Sequence, residues 1–81
     1  MQENDLLNNI DKLHTTKMGI KRIKTNLNLN NDNVVDYCKS KILNKNCNIY
    51  KKGKNYYCEI DNTKLTINSH SYTIITAHLI N

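Results

Sequence analysis

The hydrophobic spacing of this chain changes once, near Asn46, and that change constrains the fold more than any other feature. Before it, apolar residues recur every three or four positions, as one face of a helix requires; after it they alternate, as a half-buried strand requires. Leu6, Leu7, Ile10 and Leu13 form the first helical stripe, behind Asn4 and Asp5, either of which can cap a first turn. Thr15 or Thr16 caps a second helix, with Ile20, Ile23 and Leu27 on its apolar side, Lys17, Lys21, Arg22 and Lys24 on its flank, and Gly19 as a slight weakness. A polar stretch from Asn26 to Asn33 interrupts the pattern, and Asn31 or Asp32 caps a third helix carrying Val34, Val35, Cys38 and Ile42 inward and ending near Leu43. Strands are expected over 48–50, 55–60, 64–68 and 72–80. The first link is a turn of Lys51, Lys52, Gly53 and Lys54, where Gly53 can take a positive φ; Asp61, Asn62 and Thr63 form the second, and 68–71 is short enough for a third hairpin. The reading is one domain over 1–81, of class α+β: three N-terminal helices (about 4–43) packed on one face of a four-stranded antiparallel meander (about 46–80).

Size supports that layering. A chain of 81 residues buries only about 60–65% of the surface its unfolded form exposes. With 38% apolar residues and no Trp, Phe or Pro, one layer of helices on one small sheet is the natural solution, and it leaves the second sheet face exposed. The net charge of +5 favours an anionic partner such as nucleic acid. Part of that basicity is codon usage, because 15 Asn, 11 Lys, 10 Ile and 5 Tyr make up about half the chain and are encoded by AT-rich codons. A low-GC bacterium, its phage or a mobile element is the implied source. No apolar run is long enough to span a membrane, and the first residues lack the basic start of a signal peptide, so a cytoplasmic protein is expected. Oligomeric state is not legible. Cys38, Cys47 and Cys58 leave an odd thiol over and are expected to be reduced and partly buried. A zinc site of Cys47, Cys58, His70 and His78 is conceivable, yet these residues show none of the paired C-x-x-C spacing, so neither metal nor cofactor is expected.

The last strand can display a site. Alternation puts Thr73, Ile75, Ala77 and Leu79 on one face, read as core, and Tyr72, Ile74, Thr76 and His78 on the other. A second feature is the basic hairpin, in which Lys51, Lys52 and Lys54 interleave with Tyr50, Tyr56 and Tyr57; with Tyr72, these lysines and Tyr56 are candidate contacts for nucleic acid, the rings stacking on bases while the cations follow phosphates. The plainer reading is a solvated lysine turn with one tyrosine in the core. Glu59 and Asp61 read as strand-edge solubility.

Leu13-His-Thr-Thr16, Gly19-Ile-Lys-Arg-Ile-Lys24, Asn26-Leu27, Gly53-Lys-Asn-Tyr-Tyr57 and Ser71-Tyr-Thr-Ile-Ile-Thr-Ala-His78 together resemble a small bacterial family known as domain of unknown function 3781. The resemblance covers nearly the whole chain; Tyr56 stands where the family favours Trp. It implies no accepted activity. The order of helices, sheet and a last strand carrying Thr and His also resembles the small metal-independent RNases of the barnase, colicin D and RelE kind, at the level of fold. That second resemblance implies attack of a ribose 2′-hydroxyl on the adjacent phosphate, with His14 and His78 moving protons, Thr76 beside them and Arg22, the single arginine, holding the phosphate. Each residue has a plainer role: His14 satisfying carbonyls at a helix end, His78 solvated near the terminus, His70 exposed in a turn, Arg22 in an ion pair, Thr76 and Tyr72 as ordinary β-formers. Two functions follow. One is a toxin-like or phage-defence ribonuclease, with an antitoxin as its protein partner. The other is a non-catalytic module that binds RNA or protein through the open sheet face and the basic hairpin. The first requires at least two of the His and Arg side chains within reach of one phosphate, and His14 and His78 on opposite sides of the domain would sink it.

Overall fold

The computed structural model describes residues 2–30 and 33–80. It contains helices and a four-stranded antiparallel sheet, the α+β class expected, with the elements in the expected order.

Helix α1 spans Gln2–Asn8, so Asn4 and Asp5 lie within it rather than capping it. The single helix expected across Leu6 to Leu13 breaks at Asn9 and resumes as a 3-10 turn over Ile10–Lys12. Asn9 itself supplies the reason. Its side-chain amide donates to the Asp5 carbonyl at 2.8 Å, displacing the helical bond, while its own N–H bonds Leu6 O at 3.1 Å. Helix α2 spans Lys17–Leu27; the Thr16 hydroxyl caps it by accepting from Gly19 N, and Asn28 ends it in the left-handed conformation at φ 55°. Helix α3 spans Val34–Leu43 behind Asn33 at the cap position, and the caps expected from Asn31 or Asp32 lie outside the described residues.

Strands β1 (Asn48–Lys52), β2 (Asn55–Ile60), β3 (Thr63–Asn68) and β4 (Ile74–Leu79) pair in sequence order. Gly53 takes φ +64° in the first link. Asp61 and Asn62, at φ 53° and 61°, make the two-residue link between the paired Ile60 and Thr63, the double positive φ of a type I′ hairpin. The core joins Leu6, Leu13, Ile23, Leu27, Val34, Cys38 and Ile42 to alternate strand residues: Tyr56 and Cys58, Leu65 and Ile67, Ile74 and Ala77.

The last strand departs from its expected alternation. Ile67 pairs with Ile74 while the neighbouring Thr66 pairs with Thr76, so Ile75 is the extra residue of a β-bulge. The bulge reverses the in-out phase at this point. Ile74, expected beside Thr76 and His78, is buried, whereas Ile75, expected in the core, is 38% exposed. Leu79 keeps the phase of the buried Ala77 and is nonetheless 56% exposed, at the end of the strand. Tyr72 precedes the strand, in a turn with φ 58°.

Candidate functional site

Residues directly opposite each other in an antiparallel sheet share a face, so the strand register defines what the side away from the core carries. Three rows result. Asn48, Glu59, Lys64 and His78 form the first, Tyr50, Tyr57, Thr66 and Thr76 the second, and Lys52, Asn55 and Asn68 the third, beside the first hairpin. The aromatic centre is the pair Tyr50 and Tyr57, stacked with centroids 5.5 Å apart and planes 25° off parallel. The Lys64 ammonium sits 4.9 Å above the Tyr57 ring, and Asn55 Nδ2 lies 3.5 Å from the Tyr57 hydroxyl. The Tyr50 hydroxyl donates to Glu59 Oε2 at 2.5 Å. That bond to a carboxylate is the main reason the phenol holds its proton above its ordinary range. Glu59, Lys64 and His78 are half-buried, and Thr66 is buried.

The sequence-derived candidates divide into separate places. His14 lies at the start of β4: its N–H bonds Tyr72 O at 3.2 Å and its carbonyl accepts from Ile74 N at 2.7 Å. Its Nδ1 meets the Lys12 carbonyl at 2.8 Å. A carbonyl only accepts, so Nδ1 carries a proton, and Nε2 lies 3.0 Å from the Thr73 hydroxyl. The same network continues through Ser71 Oγ, 2.7 Å from Thr73 Oγ1, to the Asn68 side chain, which accepts from the N–H groups of His70 and Ser71. His14 thus fastens the chain before α2 to the last strand. His78 is five residues along β4 from Thr73, about 15 Å at the rise of a strand, so the two histidines stand at opposite ends of it.

Arg22 and Thr76 lie on neighbouring elements, joined through Asn26. Arg22 lies on α2 with Met18, Lys21, Thr25 and Asn26 around an open groove of about 350 Å³, and Asn26 Nδ2 reaches Thr76 Oγ1 at 3.4 Å. Lys51, Lys52 and Lys54 are exposed around the first hairpin. Tyr56 is 3% exposed because alternation along β2 turns it into the core, where it stacks on Tyr72 at 6.4 Å; burial raises its phenol. Neither ring therefore lies on the aromatic face formed by Tyr50 and Tyr57. The sequence reading named Tyr50 and Tyr57 among the hairpin rings without pairing them, read Glu59 as strand-edge solubility and gave Lys64 no role. Period-two alternation from Tyr56 in the core was the signal available for Tyr57, but the rows joining Glu59 and Lys64 to His78 follow from register alone.

Among the described residues no group of His, Cys, Asp and Glu side chains is arranged to hold a metal, and Cys38, Cys47 and Cys58 are free thiols, the first and last buried. No helix is long and apolar enough to cross a membrane. Neither the curated proteins nor the solved structures include a match to this chain. The profile of a family described as protein of unknown function (DUF3781) matches residues 7–78, nearly the whole chain, and the chain belongs to that family.

Proposed function

We propose that this protein binds single-stranded RNA on the sheet face away from its core. The observation that carries the reading is the stacked Tyr50–Tyr57 pair under the Lys64 ammonium, with Lys52, Asn55 and His78 in the flanking rows. A lysine over a ring at an accessible site is worth about 0.5–1 kcal/mol, whereas a base stacked on an aromatic side chain is worth about 1–3 kcal/mol. A base therefore displaces Lys64 from Tyr57, and the freed ammonium turns to the phosphate. The net charge of +5, the exposed Lys52 on the same face and Lys54 in the adjoining turn extend the path for the backbone, whereas Lys51 turns to the other side over the Tyr56 ring.

Cleavage of the bound RNA is the second reading, favoured by the row of Glu59, Lys64 and His78. It no longer involves His14, which is engaged with Thr73 at the far end of β4. The likeness in element order to small RNases adds nothing to it, since no solved structure matches.

Fluorescence anisotropy with a labelled random single-stranded RNA pool tests the binding reading. Tyr57→Ala is expected to weaken binding by roughly 5- to 150-fold, the equivalent of one lost base stack of about 1–3 kcal/mol. Lys52→Ala is expected to flatten the dependence on salt by about one phosphate contact. Affinity untouched by Tyr57→Ala overturns the reading, as does a preference for duplex over single strands.

A further inference from the structure

Displacement at phosphorus runs in line, with the attacking and leaving oxygens on opposite sides of the phosphate. A protein that catalyses it without metal needs a base on one side, an acid on the other and a cation between them. The first row of the open face has that order. Glu59 on β2, Lys64 on β3 and His78 on β4 are directly opposite one another in register. Strands lie about 4.8 Å apart, so Glu59 and His78 start about 10 Å apart at the backbone, and side chains leaning over β3 can bracket one phosphate. The carboxylate is held: Tyr50 donates to Oε2, and Oε1 has no protein donor among the described residues. The cation is held too. Lys64 forms no ion pair with Glu59; its ammonium rests on the Tyr57 ring, beside the row rather than collapsed into it.

We propose that Glu59 and His78 are the base and acid of an RNA transesterification, with Lys64 as the cation for the phosphate. This rests on the sheet face binding single-stranded RNA as above. The Glu59 carboxylate takes the proton of a ribose 2′-hydroxyl, and that oxygen forms a bond to the adjacent phosphorus. The bond from phosphorus to the 5′-oxygen breaks, its electron pair leaves with that oxygen, and the oxygen takes a proton from the His78 imidazolium. The products are a 2′,3′-cyclic phosphate and a free 5′-hydroxyl. Glu59 ends protonated and His78 neutral, and exchange with water returns both to their starting forms; no electrons are gained or lost. The Lys64 ammonium neutralises the oxygens that carry charge in the transition state. For the chemical step Tyr50 is a positioning residue, since its hydroxyl donates to the Glu59 carboxylate while its ring stacks on Tyr57. DNA lacks the nucleophile, so it binds and stays whole.

The test incubates a labelled random RNA pool and a DNA pool of the same length with the protein in excess EDTA. Wild type is compared with Glu59→Gln and His78→Asn, each shown by circular dichroism to melt as wild type does. RNA alone is expected to be cut, leaving cyclic-phosphate ends, and each variant to slow single-turnover cleavage by about 10²–10⁴-fold when protein is present at saturating concentration. Tyr50→Phe is expected to slow cleavage less than Glu59→Gln does, and Lys64→Arg to keep more activity than Lys64→Ala. RNA that binds and remains intact overturns the catalytic proposal and leaves the binding reading standing. Cleavage that persists at the wild-type rate in either variant also overturns it. Failure of any RNA to bind removes the reading beneath it, and the proposal falls with that reading.

Discussion

At Gly19 helix propensity and packing oppose each other. Alanine is favoured over glycine inside a helix by about 1 kcal/mol, so on propensity alone Gly19→Ala strengthens α2. A Cβ at this position, however, would collide with Thr15 Oγ1 and lie 3.3 Å from Thr15 Cβ. The Thr15 hydroxyl cannot swing away freely, because it donates to the Ile74 carbonyl at 2.8 Å and so ties the start of α2 to β4. Overpacking of this kind typically costs about 1–3 kcal/mol, and the clash outweighs the propensity gain. Gly19→Ala is expected to lower Tm, at about 4–8 °C per kcal/mol for a domain this small. Thr15→Ala should relieve the clash, so a double-mutant cycle reads a large coupling between the two positions. Additive effects would show that Thr15 is not the obstacle.

At the scale of elements, the turns were the most legible part of the sequence, because their chemistry is local. Asp61 and Asn62 tolerate the left-handed conformation, and they occupy it at φ 53° and 61° in the two-residue link between β2 and β3. Asp61 also accepts from Lys41 Nζ at 2.8 Å, a bond that raises the lysine above its ordinary range, but the aspartate is largely exposed and such pairs are worth little. Backbone conformation therefore governs this hairpin. Asn62→Ala is expected to cost about 1–2 kcal/mol, since alanine lacks the local hydrogen bonding that lets asparagine adopt positive φ, while Asn62→Gly should cost none of it. Urea midpoints at constant slope check this, and equal midpoints for the two variants would contradict it. Two other elements were not legible. The break at Asn9 depends on one side chain competing for the Asp5 carbonyl, and the bulge at Ile75 depends on pairing with β3; neither leaves a mark in hydrophobic spacing.

At the scale of the whole molecule, what the sequence hid was which residues meet. Composition and charge pointed to an anionic partner and to an uncovered sheet face, but the row of Glu59, Lys64 and His78 exists only once three strands are in register. The thiols illustrate the converse, since the inward place of Cys38 on the third helix was legible and its energetic consequence extends to the entire fold. Cys38 and Cys58 are 0% exposed, and desolvation pushes the Cys38 thiol from an ordinary 9.0 up to about 12, with Cys58 raised further and Cys47 raised in the same direction. A group whose folded value is raised keeps its proton in the native state after the unfolded chain has lost it. The stabilisation is therefore complete below pH 9 and is lost as pH climbs toward 12. In that window each buried thiol removes about 1.4 kcal/mol of stability per pH unit. Urea unfolding at a series of alkaline pH values should show this decline, and Cys38→Ala, though less stable at neutral pH because of its cavity, should decline less steeply by one thiol's share. The lysines and tyrosines that titrate in the same range are common to both proteins and cancel in the difference. Parallel curves for the two would mean that the Cys38 thiol ionises as readily in the fold as in the unfolded chain, and that this part of the core admits water.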